Sequence, residues 1–165
     1  MLESDAELAF EFLNDPGVTA ARTPLPPTDI EGALVWVKDA LTDAACVPWI
    51  LESADEGTGV GFIAIQGFDP TTGVGEIGFL VMPSVRRRGL ATEALRAVTD
   101  WAFANLDVHR LYLAHDTANE GSCKAALSAG YAIEGTCRSS RPLPDGSRAD
   151  SELHARLRTD GDVAS

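Results

Sequence analysis

Glu76-Ile77-Gly78-Phe79-Leu80-Val81-Met82-Pro83-Ser84-Val85-Arg86-Arg87-Arg88-Gly89-Leu90-Ala91-Thr92-Glu93 is the stretch that decides the fold of this chain. Glu76 to Met82 is a β-type run. Pro83 has no N–H to give a ladder, so pairing ends there. From Gly89 to Asn105, Ala91, Ala94, Leu95, Val98, Trp101 and Ala102 recur at helical spacing. A strand therefore runs through a basic, glycine-containing turn into a long helix. Free backbone N–H groups at a helix start, with the positive end of its dipole, favour an anion. Gly89 lets the backbone come close to a ligand, and Ala91 keeps the first turn small. Arg86, Arg87 and Arg88 form the only triple basic run in the sequence. A ligand with several phosphates suits such a turn. It is not a P-loop, since no GxxxxGK followed by Ser or Thr occurs. Gly57-Thr58-Gly59-Val60-Gly61 is too short for a dinucleotide fingerprint and precedes a strand, so it reads as a turn.

Working outward, Asp5 to Asn14 carries Leu8, Phe10, Phe12 and Leu13 and is stopped by Asp15-Pro16-Gly17, which predicts a short helix. Arg22 to Thr28 holds three prolines and reads as a loop. Thr28 with Glu31 fits a capping box for a second helix with Leu34, Val37 and Leu41 on one face. Pro48 to Glu52 reads as a strand and Asp55-Glu56-Gly57 as a turn. Gly59 to Phe68 pairs with Glu76 to Met82 as a hairpin around Asp69 to Gly73. Leu111 to Ala114 closes a β-α-β unit with parallel strands. Ser122 to Ala129 is a helix ended by Gly130. Tyr131 to Arg138 and Ser151 to Arg158 are two more strands, with a loop over Pro142 to Gly146 and a frayed tail from Thr159. The order α-α-β-β-β-α-β-α-β-β is that of a mixed α/β sheet in one layered domain spanning residues 1–165.

Composition narrows the function. The 165 residues are 45% hydrophobic, enough for one core. No apolar run suits a membrane helix, and the acidic N-terminus is wrong for a signal or transit peptide. Cys46, Cys123 and Cys137 are an odd count without CxxC spacing and read as reduced thiols in a cytoplasm. His109, His115 and His154 lack metal-ligand spacing and read as surface or partly buried histidines, so no metal is expected. The net charge is -12. Residues 1–85 hold two bases and fourteen acids, whereas residues 86–165 hold eleven of each. Such acidity argues against nucleic acid. It favours a cationic partner near the first half, or serves solubility alone.

The Arg86-Arg87-Arg88-Gly89-Leu90-Ala91 turn resembles the R/Q-x-x-G-x-G/A signature of the GNAT acetyltransferase superfamily, in the expected strand-to-helix position. Asn119-Glu120-Gly121-Ser122, followed by Gly130-Tyr131 and Glu134-Gly135-Thr136-Cys137-Arg138, is similar to the N-x-x-S…G-[FY] segment of the RimJ/RimL-like branch. That branch acetylates protein N-termini and, in relatives, small amines. The resemblance spans nearly the whole chain, with two departures. The usual first strand is missing or reduced to a stub. The position four residues before Gly130, a tyrosine in many members, is Ala126.

The resemblance implies a GNAT-type mixed central sheet flanked by helices and an acetyl-CoA-dependent N-acetyltransferase. The strands ending near Met82 and Ala114 would splay, and the pantetheine arm of acetyl-CoA would pair with Leu80, Val81 and Met82. The Val81 N–H would contact the oxyanion. Arg86, Arg87, Arg88, Gly89, Leu90, Ala91 and Thr92 would form the pyrophosphate turn. Glu76 is a candidate general base or a strand-face glutamate paired with a basic group. Ser122 is a CoA contact and proton donor to its sulfur, or a helix N-cap. Asn119 orients the CoA arm or is a turn residue. Cys123 reads as a small buried thiol rather than an acetyl carrier. An α-amine, with a pKa of about 7.7–8.0 against about 10.4 for lysine, needs little help from a base. The acceptor is therefore a protein N-terminus or a small cationic amine. A non-catalytic CoA-binding sensor or scaffold is the alternative. An uncovered sheet edge raises the expectation of a homodimer.

Overall fold

The computed structural model describes residues 1–16, 26–53, 57–143 and 145–161. In chain order its elements are α1 (Ala6–Asn14), α2 (Ile30–Thr42), β1 (Val47–Glu52), β2 (Gly59–Asp69), β3 (Val74–Val81), α3 (Leu90–Asn105), β4 (Arg110–Asp116), α4 (Glu120–Ser128), β5 (Ala132–Pro142) and β6 (Arg148–Leu157). Short 3-10 turns cover Glu3–Asp5, Pro83–Val85 and Arg158–Asp160. The element order is the expected one, and among the described residues no strand precedes α1. The turn read at Asp55-Glu56 and most of the Arg22–Thr28 loop lie outside the described residues, as does Pro144.

The sheet runs β1-β2-β3-β4-β6-β5. Every neighbouring pair is antiparallel except β3 and β4. Those two are parallel because α3 crosses between them. Their ladder is short, running from Val74↔Arg110 to Glu76↔Tyr112 and no further. Beyond it both strands continue, β3 to Val81 and β4 to Asp116, without pairing to each other. A gap therefore opens in the middle of the sheet.

Strand alternation sends Ile63, Ile65, Ile77, Leu111 and Leu113 to one face. They pack against Ala94, Leu95, Val98 and Ala102 of α3 and Ala125 and Ala126 of α4, with Ala129 just beyond it. Most of the helix positions in this core are alanines, which let the helices sit close to the sheet. Each large apolar side chain buried here contributes about 1.5–3 kcal/mol. The opposite face carries α1 and α2. Ala6, Ala9, Phe12 and Leu13 are the buried side of α1. In α2 the buried residues are Ala33 and Val37, and Trp36 meets Phe62 of β2 edge-on at 5.2 Å. The face expected at Leu34, Val37 and Leu41 is thus rotated, and Leu41 is exposed. The α2 cap is Asp29, whose Oδ1 accepts from the Gly32 N–H at 2.8 Å, in place of the expected Thr28 box.

Three other differences have local causes. Helix α4 starts two residues early because the Asn119 side chain caps it. Gly130 follows its end at φ +86, the left-handed turn expected of it. Strands β5 and β6 extend to Pro142 and from Arg148, so the loop between them is shorter than read. The chain does not fray at Thr159. Arg158 donates to the carbonyls of Val108 (2.8 Å), Phe103 (2.6 Å) and Leu106 (2.7 Å), and Asp160 accepts from the Leu157 N–H at 2.8 Å. The last four residues lie outside the description.

Candidate active-site cleft

The gap between β3 and β4 is a cleft of about 740 Å³ floored by α3 and α4, a size usual for small-molecule sites. Its lining brings together Glu76, Leu80, Val81, Arg86, Arg87, Gly89, Leu90, Ala91, Thr92, Asn119 and Ser122. Met82 and Arg88 stand outside it. The Met82 N–H turns to β2 and donates to the Val60 carbonyl at 2.9 Å, and Arg88 is exposed to solvent. N–H groups alternate along a strand, so that of Val81 points away from β2, into the gap. The Val81 carbonyl accepts from Arg86 Nε at 2.9 Å, which ties the basic turn to the end of β3.

At one end of the cleft is the start of α3. Its first intrahelical bond is Glu93 N–H to Gly89 carbonyl at 3.1 Å. The N–H groups of Leu90, Ala91 and Thr92 therefore have no partner within the helix. Two other helices are capped by side chains, Asp29 for α2 and Asn119 for α4. At α3 the cap residue is Gly89, at φ +84, with no side chain to satisfy those donors. Arg87, two residues earlier, is held at φ +64, a region that favours glycine. Strained backbone and unsatisfied donors, with Arg86 and Arg87 in the lining, form a cradle for an anion such as the pyrophosphate of CoA. The site residues fit that group on these grounds.

At the throat, where the β3–β4 ladder stops, Glu76 accepts from the Tyr112 hydroxyl at 3.3 Å. Burial, then the nearby Glu76 carboxylate, pushes the Tyr112 phenol above its ordinary value. Tyr112 therefore keeps its proton and acts as the donor, leaving Glu76 the acceptor. Glu76 is paired with a tyrosine, not with the basic group expected in the strand-face alternative.

The far wall is α4. Asn119 is its cap, its Oδ1 accepting from the Ser122 N–H at 3.1 Å. Ser122 is thus in the first turn of α4 and does not cap it. Ala126, where many relatives of the GNAT pattern have tyrosine, is fully buried. The tyrosine at 131 does not substitute for it, because its hydroxyl is buried against Thr99 Oγ1 at 2.5 Å.

Sequence reasoning missed several lining residues, among them His115, Asp116, Lys124 and Arg141. Asp116 Oδ2 is 2.5 Å from Arg141 Nη2, and Asp116 Oδ1 accepts from the Ala118 N–H at 2.8 Å. The Ala118 N–H, followed by the Arg141 guanidinium, holds the Asp116 carboxyl below its usual range. No local pattern announces this pair, since 25 residues separate its members. The histidine reading also needs correction. His115 and His154 are buried, 8% and 0% exposed, and face each other across β4 and β6. Cys123 is only half-buried, because it sits at the rim of α4 near Glu152 and not in the core.

Comparison with known proteins agrees with this geometry. Residues 1–132 match the family described as Acetyltransferase (GNAT) domain. The uncharacterized N-acetyltransferase YoaA of Bacillus subtilis is 28% identical over 92 residues, 56% of this chain and 52% of that protein. The chain therefore spans about half the length of that relative. A structure of RimL, a ribosomal-protein alpha-N-acetyltransferase, in complex with coenzyme A superposes with a TM-score of 0.87 at 17% identity, covering 98% of this chain and 93% of that one. Spermidine N-acetyltransferase from Vibrio cholerae, in complex with CoA and spermine, gives 0.86 at 16% identity over 97% and 94%. These two share the fold. Among the described residues, no helix is long and apolar enough to cross a membrane. With four-fifths of its length inside the family match and a splayed sheet beside an uncapped helix start, the chain belongs to the GNAT acetyltransferase domain family.

Proposed function

We propose that the chain is an N-acetyltransferase that moves the acetyl group of acetyl-CoA to a primary amine. The observation that carries this is the β3–β4 gap, which opens onto the side-chain-free start of α3. In this reading the pyrophosphate rests on the Leu90, Ala91 and Thr92 N–H groups, with Arg86, Arg87 and Arg88 supplying positive charge. The arm runs along Leu80 and Val81, short of Met82, and the Val81 N–H stabilises the oxyanion. Glu76, oriented by Tyr112, accepts the proton that the amine loses as it attacks the thioester carbon. The C–S bond then breaks, and the departing thiolate takes the Ser122 hydroxyl proton, which water replaces. Asn119 holds the first turn of α4 in place for that contact.

For the acceptor we propose a protein N-terminus or a small cationic amine, in line with the RimJ/RimL-like branch. Relatives of this fold are named for ribosomal-protein and spermidine acetylation. The acidic residues 1–85 give the acceptor side an attractive field. We also propose one domain over residues 1–165, a cytoplasmic location, no nucleic-acid or membrane partner, and homodimer formation through an uncovered sheet edge.

Thiol release from acetyl-CoA against N-terminal peptides, polyamines and aminated antibiotics tests the reading. Acceptor-dependent release is expected, with kcat/KM falling about 100-fold in Glu76→Gln and also falling in Ser122→Ala. Release that Glu76→Gln leaves intact removes the base role. Tight acetyl-CoA binding with no release across the panel points instead to a CoA-binding sensor or scaffold.

A further inference from the structure

His115 Nε2 and His154 Nε2 lie 3.0 Å apart. Glu152 Oε1 is 3.0 Å from His154 Nε2 and 3.7 Å from His115 Nε2. The Cys123 Sγ completes the group, with all four atoms within 4.8 Å of one another. Three elements converge to make it: His115 on β4, Glu152 and His154 on β6, and Cys123 on α4.

The other ring nitrogens face backbone carbonyls. His115 Nδ1 is 2.9 Å from the Asp116 carbonyl, and His154 Nδ1 is 3.4 Å from the Tyr131 carbonyl. A carbonyl only accepts, so these contacts favour the tautomer with hydrogen on Nδ1, which leaves Nε2 free to ligate. With hydrogen on Nδ1, the Nε2 atoms face each other and the Glu152 carboxylate oxygen. The Cys123 thiol donates to Glu152, and the two Nε2 atoms, the carboxylate and the sulfur converge on one point, the arrangement of a metal ligand set.

We infer that His115, Cys123, Glu152 and His154 bind one divalent metal ion of the zinc class. Imidazole and thiolate donors select zinc and its transition-metal neighbours over magnesium or calcium. At zinc–nitrogen distances of about 2.0–2.1 Å, two nitrogens on a tetrahedron stand about 3.3 Å apart. The observed 3.0 and 3.7 Å lie on either side of that edge, and a small turn of the half-buried Cys123 side chain brings the sulfur in. On binding, the Cys123 S–H loses its proton to water and a metal–sulfur bond forms. Thiolate, carboxylate and two neutral imidazoles then balance the 2+ charge. The Nδ1 bonds to backbone carbonyls are the supporting contacts that metal-binding histidines ordinarily have. His115 also lines the cleft, which gives the ion a way in. A bound ion pins the first turns of α4, with Asn119 and Ser122, to β4 and β6. The site stands whether or not the cleft transfers acetyl groups.

The test uses the full chain, stripped with chelator and titrated with zinc in competition with a chromophoric chelator, and with cobalt followed by absorption. One ion per chain is expected, with a thiolate-to-cobalt charge-transfer band. Cys123→Ser abolishes the band and weakens binding by about 10- to 100-fold, and His154→Gln weakens it at least as much. His109→Gln, on the exposed third histidine, leaves both unchanged. Circular dichroism checks each fold. If His154→Gln does not fold, Cys123→Ser, at a half-buried position, decides. A cobalt spectrum without the thiolate band, or binding indifferent to the ligand variants, overturns the site. So does failure to bind at all.

Discussion

Arg87→Gly and Gly89→Ala should move stability in opposite directions while both weaken CoA binding. Gly89 sits at φ +84 and Arg87 at φ +64. An added Cβ at Gly89 meets nothing closer than Glu93 Oε1 at 3.9 Å, so steric overlap is not the issue. What remains is backbone strain, about 1–2 kcal/mol for an L-residue in the left-handed region. Alanine also restricts the unfolded chain, which returns about 0.4–1 kcal/mol. Gly89→Ala should therefore lose about 1 kcal/mol. At Arg87 the signs reverse. Glycine relieves the strain already present and loosens the unfolded chain, for a net change between zero and a gain of about 1 kcal/mol. Urea unfolding followed by fluorescence of the three tryptophans measures both, at unchanged m if the states keep their compactness. CoA titration gives the second axis. Removing the Arg87 charge costs the pyrophosphate a partner, and the Gly89 methyl stands where the backbone must approach it. Destabilisation of Arg87→Gly by as much as Gly89→Ala would show that the turn is not strained for binding. Unchanged CoA affinity in both variants would place the pyrophosphate elsewhere.

Thr99→Val should cost about 1–3 kcal/mol, because it strands the Tyr131 hydroxyl in a fully buried setting. Thr99→Val with Tyr131→Phe should recover most of that loss in thermal or urea unfolding, and additive losses would disprove the coupling. Arg158→Lys should fail to rescue Arg158→Ala, since one ammonium cannot reach the carbonyls of Phe103, Leu106 and Val108 together. The expected loss in both is about 1–3 kcal/mol. Asp116 has a lowered carboxyl pKa, so its contribution is present above the ordinary carboxyl value of about 3.9 and fades as pH falls through its lower folded value. The stability gap between wild type and Asp116→Asn should be constant near neutrality and close below about pH 4 in pH-resolved unfolding; a gap that widens on acidification contradicts the assignment.

The parts of this fold that were legible in the sequence are those built from neighbours along the chain. Helical spacing from Ala91 to Ala102, the hairpin around Asp69 to Gly73 and the Gly130 stop each rest on a few adjacent residues, and each stands where it was read. Element ends were less legible, because caps compete locally. Asp29 outbids Thr28 for the Gly32 N–H, and Asn119 caps α4 ahead of Ser122. In the cleft, the Arg86 to Thr92 turn was visible because one contiguous motif makes it. Asp116 with Arg141, and Glu76 with Tyr112, were not, because sheet pairing alone brings them together.

The two histidines carry that argument furthest. In sequence, His115 and His154 are 39 residues apart and lack any spacing that would suggest shared ligation. Antiparallel β4–β6 register places Leu113 opposite His154 and His115 opposite Glu152. Alternation then sends Leu113, His115, Glu152 and His154 to one face, and the early start of α4 lays Cys123 over them. One residue of slip in that register would turn Glu152 and His154 to the side of the sheet opposite His115. The cluster is therefore a property of register, and register depends on the Leu111 and Leu113 side chains filling the core beneath α3 and α4. Core packing sets which polar groups meet here, so a variant that shifts the pairing of β6 should lose the metal site before it loses the anion cradle at Gly89.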